Sequence, residues 1–207
     1  MKKRILFAAV MAAISVPAFA GTDVDVHVST LGYGLDIGFQ EAGSSVMTRV
    51  GLNQFSKTYT TTSDSVNYEG KLKLSSVDLL ADWHLFDGVT HLTAGLVYNN
   101  NKVDLTSTGS YTINGNPYTG TMNSTVTFNK VAPYLGFGWS GQAKNSGLSF
   151  KSDFGVLFQG KPKSTLTTTG ASAPSGADLA KAQSDLDDSL KNFKYYPVIS
   201  FGIGYAF

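Results

Sequence analysis

The last fourteen residues constrain the fold most tightly. From Lys194 to Phe207 the chain alternates strictly, with Tyr195, Pro197, Ile199, Phe201, Ile203, Tyr205 and Phe207 on one face. The other face carries Lys194, Tyr196, Val198, Ser200, Gly202, Gly204 and Ala206. Strict period two over this length is a strand whose two faces meet different environments. One face is apolar, unbroken and aromatic-rich, while the other is small and mostly polar. A closing strand with hydrocarbon outside and a packed lumen inside has this pattern.

The start of the chain predicts export. Lys2, Lys3 and Arg4 precede an apolar run, Ile5 to Val16, and Ala18-Phe19-Ala20 supplies a small-x-small cleavage site. Residues 1–20 are therefore expected to be a cleaved signal peptide, leaving a domain of residues 21–207. Without the three leader charges, 16 basic against 15 acidic residues become 13 against 15, a net charge of −2. That leaves no basic footprint for nucleic acid. The sequence has no cysteine, so no disulfide can staple the fold. No apolar run after the leader is long enough for a spanning helix. The chain then either stays in water or crosses a membrane as a closed barrel, which satisfies every backbone group internally.

Eight alternating segments follow: residues 23–29, 31–40, 45–59, 68–85, 91–105, 124–139, 148–168 and the final strand. The second puts Leu31, Tyr33, Leu35, Ile37 and Phe39 outward; with only Thr30 before it, one long bent strand is the alternative to a hairpin. The fourth begins with Leu72 and Leu74 outward and Lys71 and Lys73 inward, then changes phase near Ser75-Ser76. Such a flip reads as a β-bulge or as the point where the strand leaves the bilayer. Pro133 asks for a local bulge, since it cannot donate to a ladder. Asp87-Gly88 is a hairpin signal. The polar stretches 60–67 and 106–123 read as loops. Within the last loop, Leu179, Ala182, Leu186, Leu190 and Phe193 recur every three to four residues and predict one amphipathic helix, whose apolar stripe is expected over the barrel mouth, with a partner or the headgroup layer as the alternatives. The expected fold is all-β: an eight-stranded transmembrane antiparallel up-and-down barrel with a short helix in its last extracellular loop.

Connections alternate short and long, as periplasmic turns and extracellular loops do, except that the first is short where a long one is expected. Outward aromatics gather at the short-turn end, where Phe39, Trp83, Trp139, Tyr205 and Phe207 would form an interfacial girdle. The inward set predicts a lumen charge network of Asp25, Asp36, Arg49, Lys71, Lys73, Asp78, Asp82, Lys130, Lys151, Asp153 and Lys161. An eight-stranded barrel leaves little more room than side chains fill, so these charges are expected to pair as a plug, with a narrow ion path as the alternative.

Catalytic and metal chemistry has thin support. His27-Val28-Ser29 places a histidine and a serine on one strand face, but the sequence fixes no acidic partner. His84 and His91 flank the Asp87-Gly88 turn near Asp82, a pattern commoner on solvated surface than around a metal. No catalytic, metal or cofactor residue is assigned.

The leader, the eight segments and the runs Leu79-Leu-Ala-Asp-Trp-His-Leu-Phe86, Ala132-Pro-Tyr-Leu-Gly-Phe-Gly-Trp139 and Gly155-Val-Leu-Phe-Gln-Gly160 resemble the small OmpA/OmpW-like outer-membrane barrels of Gram-negative bacteria. The resemblance implies an outer-membrane location and contact with outer-membrane lipid and lipopolysaccharide. It also implies assembly by the barrel-assembly machinery through a carboxyl-terminal signal at Gly202, Tyr205 and Phe207. A monomer is expected, with no peptidoglycan-binding domain after Phe207. The functional expectation is a non-catalytic barrel with an envelope-structural or surface-interaction role. The alternatives are a narrow channel and a lipid A-modifying hydrolase.

Overall fold

The computed structural model describes residues 21–63, 66–142, 147–172, 174 and 176–207; the leader, residues 1–20, lies outside them. The strands are β1 (Thr22–Ser29), β2 (Gly32–Gln40), β3 (Val46–Ser63), β4 (Val66–His84), β5 (Thr90–Asn99), β6 (Lys102–Ile113), β7 (Asn116–Thr127), β8 (Val131–Gln142), β9 (Gly147–Phe158), β10 (Lys163–Ser172) and β11 (Tyr195–Ala206). One helix, α1 (Gly176–Leu190), precedes β11.

Eight of the strands close a ring in the order β1-β2-β3-β4-β5-β8-β9-β11, every pairing antiparallel. The β1–β11 ladder closes it, running from Asp23 opposite Ala206 to Ser29 opposite Ser200. The architecture is the eight-stranded barrel that the alternation predicts. Residues 29–32 form a tight turn, so β1 and β2 are separate strands. Pro133 needs no bulge: it pairs with Leu96 in unbroken register, and the β8–β9 ladder begins only at Tyr134.

The remaining three strands prolong the barrel wall upward from the long-loop end. β4 pairs with β5 from Ser76 opposite Asn99 and with β6 from Lys73 opposite Lys102, one continuous register. β6 is therefore β5 resumed after two residues, and β8 continues the register of β7 after three. β10 resumes β9 after residues 159–162, where Gly160 takes a positive φ of 72°. Residues 106–123, expected as a loop, are instead the upper part of a β6–β7 hairpin. Its turn is Asn114-Gly115, at φ 52° and 84°, the two left-handed positions of a type I′ turn. Residues 60–63 and 66–67 likewise extend the β3–β4 hairpin as far as Ser63 opposite Val66. The Asp87-Gly88 signal does mark a turn, but Phe86 holds the left-handed conformation, within a short 3-10 turn over Leu85–Asp87.

Strand parity separates an outer from an inner face throughout. Val46, Val50, Leu52, Val77, Leu79, Trp83, Leu92, Leu96, Phe150, Phe201 and Ile203 are exposed on the outer face. The phase flip in β4 is a change of surroundings, not of backbone, because its ladder to β3 has no register shift. Lys71 and Lys73 are on the outer face, reversing the expectation, while Leu72 and Leu74 share the inner face with Asp78 and Asp82. Leu31 departs in the other direction. Expected outward, it is buried in the turn beside Leu80, Val97, Ala132, Tyr134, Leu157 and Val198.

α1 packs on β10 and β6, on the inner face of the raised wall. Asp178 in its first turn accepts hydrogen bonds from Tyr118 Oη (2.6 Å), Asn114 and Asn116 (both 3.2 Å) at the β6–β7 tip. Further along, the Asp187 carboxylate accepts from the Ser164 backbone N–H at 3.3 Å, and Gln183 donates to the Ser164 carbonyl at 2.9 Å. The helix thus occupies hydrogen-bonding positions on the free edge of β10, which pairs otherwise only with β7.

Inner-face glycines make room for the large side chains opposite. A Cβ on Gly155 would meet Tyr134 Oη at 2.3 Å. Gly155→Val is expected to unpack this layer at a cost of about 1–3 kcal/mol. The loss should appear as a lower temperature for converting the folded gel band into the unfolded one in detergent.

Candidate functional site

The most organised side-chain cluster is the lower lumen, centred on Arg49. Alternation on β3 turns Arg49 inward between Met47 and Gly51, and its side chain is only 4% exposed. Its guanidinium Nη1 lies 3.0 Å from Asp153 Oδ2 and 3.4 Å from Asp36 Oδ2, and Nη2 lies 3.2 Å from Asp82 Oδ1. Nε adds an ion-pair contact to Asp82 at 3.2 Å without hydrogen-bond alignment. One planar cation is thus shared by three carboxylates from β2, β4 and β9, the geometry for which a guanidinium is suited.

A second group lies toward the short-turn end. Lys151 Nζ bonds Asp25 at 2.9 Å and Asp23 at 3.2 Å, and Ser149 donates to Asp25 at 3.2 Å. Asp78 is served by neutral donors, Asn53 Nδ2 at 2.7 Å and Ser76 Oγ at 3.3 Å. His27 has Asn53 Oδ1 at 2.8 Å on one ring nitrogen and Asp36 at 3.3 Å on the other.

Of the expected network, Asp25, Asp36, Arg49, Asp78, Asp82, Lys151 and Asp153 meet in the lumen. Lys71, Lys73, Lys130 and Lys161 do not. Lys130 and Lys161 sit exposed in the breaks below β7 and β10; Lys71 and Lys73 lie on the outer face of the wall. The reason is that period two fixes which residues share a face but not which environment the face meets at a given height. Asp23, His27, Asn53, His91 and Thr93 also belong to the network, and inward parity is the sequence signal for each. Lys73 instead pairs with Asp104, at 3.4 Å, as does Lys102, at 3.1 Å. Partial burial pushes the Asp104 carboxyl upward, but hydrogen bonds from Lys102, Thr125 and Lys73 outweigh it and hold the group below its usual range.

Two reactive arrangements can be weighed here. His27 and Ser29 both hydrogen-bond Asn53 rather than each other. A serine–histidine–aspartate line does exist elsewhere: Ser140 Oγ lies 3.5 Å from His91 Nδ1, and His91 Nε2 lies 3.0 Å from Asp153 Oδ1. His84 Nε2 lies 3.0 Å from the same Ser140 hydroxyl. His91 is fully buried, and Asp153 is already engaged by Arg49. Asp82, His91 and Asp153 also bring one ligand atom each within 4.8 Å of one another. The Arg49 guanidinium occupies the cation position between the two carboxylates, so the donor set does not fit a metal.

Above the charges the lumen is apolar. Leu31, Leu80, Val97, Ala132, Tyr134, Leu157 and Val198 form a buried layer, with Tyr196 packed against it. Between the two layers lies a cavity of about 30 Å³, bounded by His27, Asp36, Arg49 and Tyr134 among others. That is room for about one or two waters. A larger groove, about 650 Å³, opens on the inner face of the raised wall. Tyr59, Tyr68, Leu105, Met122 and Leu166 line it from the sheet, and Ala182 and Leu186 from α1. Leu179 and Leu190 on the helix are half-buried, whereas Phe193 is exposed.

On the outer face, Trp83, Trp139, Tyr205 and Phe207 are about half exposed, and Phe39 is partly covered. All five belong to the short-turn end. Tyr205 and Phe207 pack edge to face at 5.0 Å, and Trp139 meets Phe137 and Phe154 in the same way. Gly202 pairs with His27 across the closing ladder. Tyr33, Tyr98, Phe158 and Tyr195 are exposed toward the long-loop end, a second level that the short-turn count did not include.

No protein-family model and no curated protein matches this chain. Among solved structures, the chain is similar to Acinetobacter baumannii CarO2, at 20% identity and a TM-score of 0.63, over 92% of this chain and all of that one. It is also similar to Acinetobacter baumannii CarO, at 19% identity and a TM-score of 0.61, over 93% of this chain and all of that one. The chain shares the CarO fold. At this identity the likeness concerns architecture, and the lumen contacts rest on the geometry above.

Removing Arg49 leaves three carboxylates facing one another without their shared cation. Arg49→Met is expected to destabilise the barrel by about 3–5 kcal/mol. Arg49→Lys should recover only part of this, because a point charge cannot serve three acceptors from one plane. Urea unfolding of the three proteins in the same lipid vesicles would measure both differences.

Proposed function

We propose that this protein is a small outer-membrane barrel of the OmpA/OmpW-like kind, sealed through its lumen, with its raised wall as an interaction surface on the cell exterior. The filled lumen is the observation that carries this reading: a charge-paired layer and an apolar layer lie in series, and about 30 Å³ is left between them. The apolar outer face supports the membrane location. From Tyr195 to Tyr205 is about 33 Å along the strand, or about 25 Å of height at a tilt of about 40°, the thickness of an outer-membrane apolar band. Aromatics at both ends of that span suit the two interfaces.

In this reading residues 1–20 direct export and are removed, and Phe39, Trp83, Trp139, Tyr205 and Phe207 form the periplasmic girdle. Gly202, Tyr205 and Phe207 serve as the signal for the barrel-assembly machinery, and the mature protein works as a monomer among outer-membrane lipid and lipopolysaccharide. The groove under α1 has the volume and apolar lining of a small-molecule site, and it supports a surface-interaction role. A channel would need both lumen layers to part. A lipid A hydrolase would need an accessible nucleophile, and Ser140 is buried beneath Arg49's carboxylates with none of the cavities described above reaching it.

Purified protein reconstituted in planar bilayers is expected to show no stepwise conductance. Tyr134→Ala combined with Arg49→Ala, which thins both layers, should raise it if that variant folds. Regular single-channel steps from the unaltered protein would overturn the sealed reading. Solubility of the folded monomer without detergent or lipid would overturn the membrane reading itself.

A further inference from the structure

We infer that the outer face of the raised wall carries a binding site for net-anionic phosphate headgroups of the lipid leaflet around the barrel, built by Lys73, Lys102 and Lys163 with Lys71 above them. The inference rests on the membrane reading and adds to it the partner chemistry and the residues.

The registers place the three lysines on one rung. Lys73 pairs with Lys102, Lys102 with Thr127, and Thr127 with Lys163. With strands about 4.8 Å apart, the rung presents three ammonium groups across about 15 Å of sheet. The next rung up reads Thr58, Lys71, Asp104, Thr125 and Thr165. Directly opposed like charges disfavour a ladder unless something neutralises them. Asp104 is the one acid on these two rungs, and it is shared between Lys73 and Lys102. Four cations against one carboxylate leave an excess of positive charge open to solvent.

The height of the rung identifies the occupant. Below it the same outer face is apolar: Val77 and Leu79 on β4, Leu96 and Tyr98 on β5, Val131 on β8 and Phe158 on β9 are all exposed. Above the Lys71 rung the face turns to neutral hydroxyls, with Thr60, Thr106 and Thr167 on the next rung beside Glu69 and Asn123, and Thr62, Thr108, Thr121 and Thr169 on the one after. Positive charge is therefore concentrated at the border between apolar and polar outer surface, the level of headgroup phosphates around a membrane protein. On the inner face of the same rungs stand Leu72, Val103 and Val126, so the lysines are a property of the side turned to the leaflet.

Native mass spectrometry of the protein in a neutral detergent, with phosphatidic acid or phosphatidylcholine added, reads the site directly. The unaltered protein is expected to retain phosphatidic acid at least tenfold more strongly. Lys73→Gln/Lys102→Gln/Lys163→Gln should lose that preference, while Lys181→Gln/Lys191→Gln, which changes two exposed lysines elsewhere, should keep it. Equal retention of the two lipids by the unaltered protein, or an undiminished preference in the triple variant, would overturn the inference. So would complete displacement of the lipid by millimolar inorganic phosphate, since the site would then take a free anion. A heat-modifiable gel shift on each sample shows that the barrel is folded. A folded, detergent-dependent barrel without lipid preference defeats this inference alone, whereas a folded barrel that needs no detergent defeats the membrane reading.

Discussion

The ladder between β1 and β11 is the constraint on which everything else depends. It joins the two ends of the described chain and so fixes how many strands surround the axis. Eight strands define an interior only as wide as side chains can fill, and that width turns every inward residue into a packing problem. Closure also leaves the ring itself no unpaired edge, which lets an apolar outer surface exist without a partner strand.

The interior meets that problem differently at different heights. Near the short-turn end it uses charge, and the solution works because Arg49 presents a planar fork that Asp36, Asp82 and Asp153 approach from three strands. Near the long-loop end it uses Leu80, Val97, Leu157 and Tyr134, with glycines beneath the larger rings. A buried charge cluster is weak evidence for stability when taken alone. Here an apolar layer stands directly above it, with room for only about one or two waters between the two. The two layers support each other, and the sealed reading of the barrel follows from both.

Much of the architecture was legible because alternation over ten or more residues leaves few other solutions. Even the interrupted strands were readable as single runs, since β5 and β6, and β7 and β8, keep one register through their breaks. The height of the wall was not legible. Threonine-rich strands in water look like polar loops to any reading based on hydrophobic contrast, and the Asn114-Gly115 turn lies inside such a stretch. The side taken by the lysines of β4 was illegible for a related reason. Parity does not say which face points away from the axis, and above the barrel rim the apolar Leu72 and Leu74 lie on the inner face. The lumen contacts were half legible. Inward parity nominates Asp23, His91 and Ser140 as readily as Asp153, but which of them touch depends on strand stagger, and that is a property of the closed ring.

The helix against β10 bears on crowding. A raised wall of five strands standing clear of its ring has two raw margins, and each could template a neighbouring chain. Asp187 and Gln183 satisfy the N–H and C=O of Ser164 at one of those margins, taking the place an invading strand would need. In the outer-membrane setting proposed above, that finish would keep crowded copies from stitching into a continuous sheet through this margin.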